Sequence, residues 1–141
     1  TREGGGPDTA KCQHAQARWR DYQRFSVYID ELVNELEGIY EDPALSLTEK
    51  LVRREIAFAE ALTRFDEELA PILEAVTFRG FRNTPLNNAT LLSRIRYYKR
   101  LPDFAALLEQ YDGSLPGVLA DLENQAGSVD DPFDLLPSSA K

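Results

Sequence analysis

The sequence holds one histidine, His14, and one cysteine, Cys12. A zinc helix of the His-Glu-x-x-His kind needs two imidazoles one turn apart, so these residues cannot form one. A Ser-His-Asp triad would have to recruit His14, and no serine lies in a strand-turn-helix elbow. His14 reads as a solvated side chain near a helix start, and Cys12, which has no partner for an internal disulfide, as a small packing residue. Gly4-Gly5-Gly6 follows no strand pattern and lacks the lysine of a phosphate loop. Carboxylates are plentiful at Asp30, Glu31, Glu35, Glu37, Glu41 and Asp42. A four-helix di-metal site would use Glu-x-x-His pairs, and none occurs. Glu31 and Glu35 fall one helical turn apart and read as a solvated acidic face.

A different chemistry lies further on. Between Glu74 and Asp103 no acidic residue occurs, whereas Arg79, Arg82, Arg94, Arg96, Lys99 and Arg100 all do. The same stretch carries Asn83, Asn87, Asn88, Tyr97 and Tyr98. Guanidinium forks, amides and phenols together can fix an extended peptide backbone or a carboxylate. The simpler reading is that this basic block pairs with the acidic first helix in surface ion pairs of small energetic worth. Pro85-Leu86-Asn87-Asn88-Ala89 asks for more. Two adjacent asparagines at a helix start can cap it with one side chain and leave the other facing a cleft.

The elements that must position these residues are helical. Ala15, Trp19, Tyr22, Phe25, Ile29, Leu32, Leu36 and Ile39 step by three or four, which predicts one long amphipathic helix from about Asp8 to Tyr40. Pro43 ends it by disfavouring helix at Asp42. Ser46-Leu47-Thr48-Glu49 matches a capping box and opens a second helix. Its stripe is Leu47, Leu51, Phe58, Leu62, Phe65 and Leu69, widened by Ile56 and Ala59, and Pro71 should kink or end it. Residues 77–87 read as a loop. A third helix, capped by Asn87 or Asn88, carries Leu91, Leu92, Ile95 and Tyr98 until Pro102 stops it. A fourth runs from Phe104 to Tyr111 and closes at Gly113. A fifth, capped by Ser114, carries Leu115, Val118, Leu119 and Leu122 and ends near Gly127. The expected fold is therefore all-α, a long antiparallel helical hairpin packed with three shorter helices. Residues 1–7 form a flexible lead-in, 8–127 a single helical domain, and 128–141 an extended tail that Phe133, Leu135 and Leu136 can pin down.

Composition agrees with a globular chain. Its 141 residues are 43% hydrophobic and 28% charged, enough for a real core. A net charge of -8 disfavours nucleic acid and anionic lipid, whose phosphates the summed field repels. No apolar run reaches the roughly 20 residues of a transmembrane helix. The sequence begins at Thr1 and lacks methionine, which is expected of a mature piece or fragment of something longer.

The order of certain residues resembles the C-terminal part of a bacterial family of predicted zinc aminopeptidases. The likeness rests on Pro85-Leu86-Asn87-Asn88-Ala89, Tyr97-Tyr98, Leu101-Pro102-Asp103-Phe104, Leu107-Leu108 and Asp112-Gly113. Upstream, Phe25, Leu32, Leu36, Tyr40 and Glu49-Lys50-Leu51 resemble the family's long helical insert, so that residues 15–125 are covered. The resemblance implies zinc held by a His-Glu-x-x-His helix and a distant glutamate, N-terminal to the region matched. This chain contains no such ligands and takes no cofactor of its own. Asn87, Asn88, Tyr97 and Tyr98, with Arg82 from the basic block, are the residues expected to face a substrate cleft; none is expected to be catalytic. The resemblance also implies a periplasmic or membrane-tethered parent protein.

Two functions follow. In the first, the chain is the C-terminal helical region of a zinc-dependent aminopeptidase-like hydrolase and lines its cleft without carrying the metal. In the second, it is a non-catalytic helical interaction or scaffolding module. The first helix has more apolar stripe than the second can cover, so later helices or another polypeptide must close it. The expected partner is accordingly the N-terminal remainder of the same polypeptide or another protein chain.

Overall fold

A computed structural model describes residues 9–137, which are helical with no strand among them. They divide into two compact units, one running to Lys99 and one beginning at Arg100.

In the first unit, helix α1 spans Ala10–Glu41. Thr9 caps it, its side chain accepting from the Cys12 amide. At 1.5 Å per residue its 32 residues extend about 48 Å. The buried stripe is Asp21, Phe25, Ser26, Tyr28, Ile29, Leu32 and Leu36, while Trp19 stays 41% exposed. The chain leaves the helix at Asp42, whose carboxylate accepts from the Ala44 amide. Helix α2, Leu47–Arg64, opens with the expected capping box: the Ser46 amide donates to Glu49 Oε2 at 2.8 Å and the Glu49 amide to Ser46 Oγ at 3.3 Å.

The α-helical ladder of α2 gives way to a π turn at Phe65–Leu69 and a 3-10 turn at Ala70–Ile72. Pro71 lies in the first turn of the latter, where its missing N–H is tolerated. The stripe of α2 also differs in detail from the periodicity reading. Ala57 and Ala61 complete the buried face, whereas Ile56 is 51% exposed and Leu47 74% exposed. The small alanines let α2 lie close against α1, and Tyr28 Oη donates across to the Ala61 carbonyl at 2.8 Å.

Residues 77–87 are not all loop, because α3, Arg79–Arg82, forms a single turn there. It inserts Phe81 into an aromatic cluster. Phe25 stacks on Phe78 with ring centroids 4.1 Å apart and meets Phe81 and Tyr98 edge-on at 5.2 and 4.9 Å. Each such pair adds about 0.5–1.5 kcal/mol beyond its buried area. This offsets the left-handed backbone of Phe78, φ 45°, which costs about 1–2 kcal/mol for a residue with a Cβ. Helix α4, Asn88–Tyr98, packs against α1 through Leu91 and Ile95. The stripe of α1 is thus covered within this unit by α2, the π turn, α3 and α4.

The second unit holds α5, Leu101–Gln110, and α6, Leu115–Gln125. Pro102 does not stop the preceding helix, which has already ended at Tyr98; it sits in the first turn of α5, a position that suits its fixed φ. Gly113 has φ 76°, the left-handed conformation that closes a helix. Ser114 caps α6 by accepting from the Gly117 amide. Leu107, Val118 and Leu136 form the core, with Leu108, Tyr111, Leu122 and Phe133 around them. Residues 128–137 are not simply extended: Asp131 caps a 3-10 turn at Pro132–Leu135 that delivers Phe133 and Leu136 to this core. Arg100 binds the Asp103 carboxylate and donates to the Phe133 carbonyl.

No helix among the described residues is long and apolar enough to cross a membrane.

Candidate functional site

The asparagine corner is built by the capping chemistry of α4. Asn87 is the cap. Its Oδ1 accepts from the Thr90 amide at 3.0 Å, and its own amide donates to Thr90 Oγ1 at 3.0 Å. The threonine hydroxyl also reaches the Pro85 carbonyl, so the corner is closed on itself. Asn88, one residue into the helix, has no capping duty. Its Nδ2 donates to Tyr40 Oη on α1 at 2.8 Å.

That bond marks one end of an open groove of about 220 Å³ on α1 and α4. Its walls are Val33, Leu36, Leu91, Leu92 and Ile95, and its polar groups are Asn88, Tyr40 and Glu37. Leu92 is 64% exposed. Lys50 Nζ donates to the Tyr40 carbonyl at 2.6 Å and holds the helix end in place. The groove offers apolar area with an amide and a phenol at its margin, the composition of a site that takes an apolar side chain and fixes a neighbouring peptide group.

The other residues expected at a cleft do not line this groove. Asn87 is occupied by its cap. Tyr97 is exposed to solvent. Tyr98 belongs to the aromatic cluster, where burial raises its phenol above the usual range. The Arg82 guanidinium donates to both Asp66 carboxylate oxygens at 2.8 and 3.0 Å, and this pair holds Asp66 below the usual carboxylate range. Two residues of the basic block find partners outside α1, Arg82 in Asp66 of the π turn and Arg100 in Asp103, while Glu35 of α1 takes Arg64 of α2.

The periodicity reading missed Asp21. This carboxylate is fully buried and accepts from the backbone amides of Glu74, Ala75 and Val76 at 2.7–3.0 Å, and from Arg24 at 3.0 Å. Burial alone would raise its pKa, but the amides of Ala75, Glu74 and Val76 and the Arg24 guanidinium together hold it below the usual range. Arg24 also donates to the Ile72 carbonyl and to Glu74, and Arg20 grips Glu74 with two bonds at 3.0 and 2.6 Å. Hydrogen bonds from Arg20 and then Arg24 bring Glu74 down to about 2. The available signal was a lone acid on an apolar stripe, since Asp21, Phe25, Tyr28, Ile29 and Leu32 share one face of α1.

The donor chemistry for zinc can also be tested. His14 is exposed near the start of α1, and no group of three histidine, cysteine or carboxylate side chains is placed to hold a metal among the described residues. These residues do not fit a zinc site.

No curated protein and no solved structure matches the chain. A family model described as "Putative aminopeptidase" matches residues 3–130. That match takes in the asparagine corner, the groove on α1 and α4 and the buried Asp21, and by it the chain belongs to this aminopeptidase family.

Proposed function

We propose that this chain is the C-terminal helical region of a zinc-dependent aminopeptidase-like peptide hydrolase, and that its α1–α4 groove lines the substrate cleft. On this reading the metal ligands belong to residues outside this sequence, and no residue here takes part in the chemical step. The observation that carries it is the pairing of an apolar groove with the Asn88 amide at its margin. Nδ2 has two N–H groups and Tyr40 takes one, which leaves a donor and the amide carbonyl for a peptide group. Burying a leucine-sized side chain on Val33, Leu36 and Leu91 contributes about 1.5–3 kcal/mol. In this arrangement α1 and α2 form an antiparallel hairpin, a reading supported by Lys50 reaching Tyr40 near the connection and Tyr28 reaching Ala61 far from it.

The test is hydrolysis of leucyl peptides by the full polypeptide carrying Asn88→Ala. Loss of one hydrogen bond to the substrate raises KM about tenfold and leaves kcat close to wild type. An unchanged KM removes the groove from the cleft.

A second reading, a non-catalytic interaction module, draws on α2. Leu47 and Leu51 continue the stripe of Phe58, Ala61 and Phe65, yet they remain 74% and 40% exposed. On either reading the N-terminal remainder of the polypeptide, or another chain, covers them.

A further inference from the structure

A second groove, of about 280 Å³, is formed by α1 with the end of α2 and the π and 3-10 turns that follow it. Val27, Tyr28, Leu69 and Ile72 give it apolar lining, and Arg24, Arg64, Glu31 and Glu68 give it charge. Val27 and Ile72 are 46% and 53% exposed, so branched apolar surface is left open to water.

The charges divide by commitment. Arg24 is held by Asp21, Glu74 and the Ile72 carbonyl, and Arg64 by Glu35. Each guanidinium charge is therefore already matched by a carboxylate. Glu31 on α1 and Glu68 on the π turn have no hydrogen-bond or ion-pair partner among the described residues. The groove therefore presents an apolar floor with uncompensated negative charge contributed by two different elements. The π turn is part of this design: it carries both Glu68 and Leu69 into the groove lining, and such turns recur at functional positions.

We infer that this groove docks a basic, aliphatic segment of another polypeptide. A lysine or arginine lays its methylene stem over Val27 and Ile72 and brings its charge to Glu31 and Glu68. A second copy of this chain is disfavoured as the occupant by its net charge of -8, and a nucleic acid by its own phosphates. The surface is separate from the α1–α4 groove and does not depend on the function proposed for it.

The probe is a short fluorescent peptide in which lysine alternates with leucine and valine, with a twin carrying glutamate at every lysine. Anisotropy is read with the whole chain, and helicity is checked by circular dichroism for each variant. The basic peptide binds and the acidic twin does not. Glu31→Gln with Glu68→Gln weakens binding about fivefold to tenfold. Val27→Ser with Ile72→Ser, both at exposed positions, also weakens it. A control of equal charge change in the second unit, Glu109→Gln with Glu123→Gln, leaves it unaltered. Failure of the basic peptide to bind, equal weakening by the control, or indifference to the serine pair each overturns the inference, the last two by reducing the effect to net charge.

Discussion

Asp21 and Asn88 are both polar side chains on helices of the first unit, and they differ in what surrounds them. Asp21 is fully buried, and its two oxygens receive three backbone amides and a guanidinium. Asn88 is exposed at the end of an apolar groove and makes one side-chain bond, to Tyr40. A saturated group in the interior has nothing left to offer a ligand. It fixes the chain, here by tying residues 74–76 to α1. A half-used amide beside open apolar surface contributes little to the fold and keeps hydrogen-bonding capacity in reserve. The comparison separates residues that hold this molecule together from residues that can work for it.

The largest effect should follow from breaking the saturated site. Asp21→Ala strands the amides of Glu74, Ala75 and Val76 and leaves Arg24 without its buried partner. Breaking a buried charged network from one side costs about 3–5 kcal/mol. Urea unfolding of the variant should give a correspondingly lower midpoint. A loss under about 1 kcal/mol would mean that water replaces the carboxylate easily and that residues 74–76 are not held by it.

The same network sets the acid limit of the fold. Folded-state values of Asp21 and Glu74 lie below their unfolded values, Glu74 at about 2. Carboxylates of this kind contribute stability that is fully present above the unfolded pKa, about 4, and lost as pH falls through the folded value. Stability should therefore decline between about pH 4 and pH 2, and Glu74→Gln should flatten that decline, measured as urea midpoint against pH. An identical profile in the variant would place the acid sensitivity elsewhere.

The fold was largely legible in the sequence because helical periodicity, the Ser46–Glu49 box and the Ser114 cap are local signals. What was not legible depended on tertiary partners. Asp21 interrupts an apolar stripe, and only the arrival of residues 74–76 explains it. Phe78 and Phe81 sit in a segment whose glycine, proline and asparagine content reads as loop, yet the aromatic cluster outweighs that local preference. Residues after Gly127 lack periodicity, but Leu136 still reaches a core. For the site, the pair of asparagines was visible and the division between them was not spelled out by type alone. Tyr97 and Tyr98 look equivalent in sequence, whereas one is exposed and the other is packed on Phe25.

The two asparagines sharpen the comparison at its smallest scale, within one turn of helix. Asn87→Ala removes a cap and should cost about 1 kcal/mol. Asn88→Ala cuts one exposed bond to Tyr40 and should stay within about 0.5 kcal/mol of wild type. Thermal unfolding of the two single variants, side by side, reads the difference directly. The double variant would conflate them, since any loss of peptide hydrolysis could then come from a frayed α4. If Asn88→Ala proves as destabilising as Asn87→Ala, its bond to Tyr40 is a clamp between α1 and α4. The amide would then belong with Asp21 among the residues that hold the fold, and the groove would lose the amide on which its claim on a peptide rests.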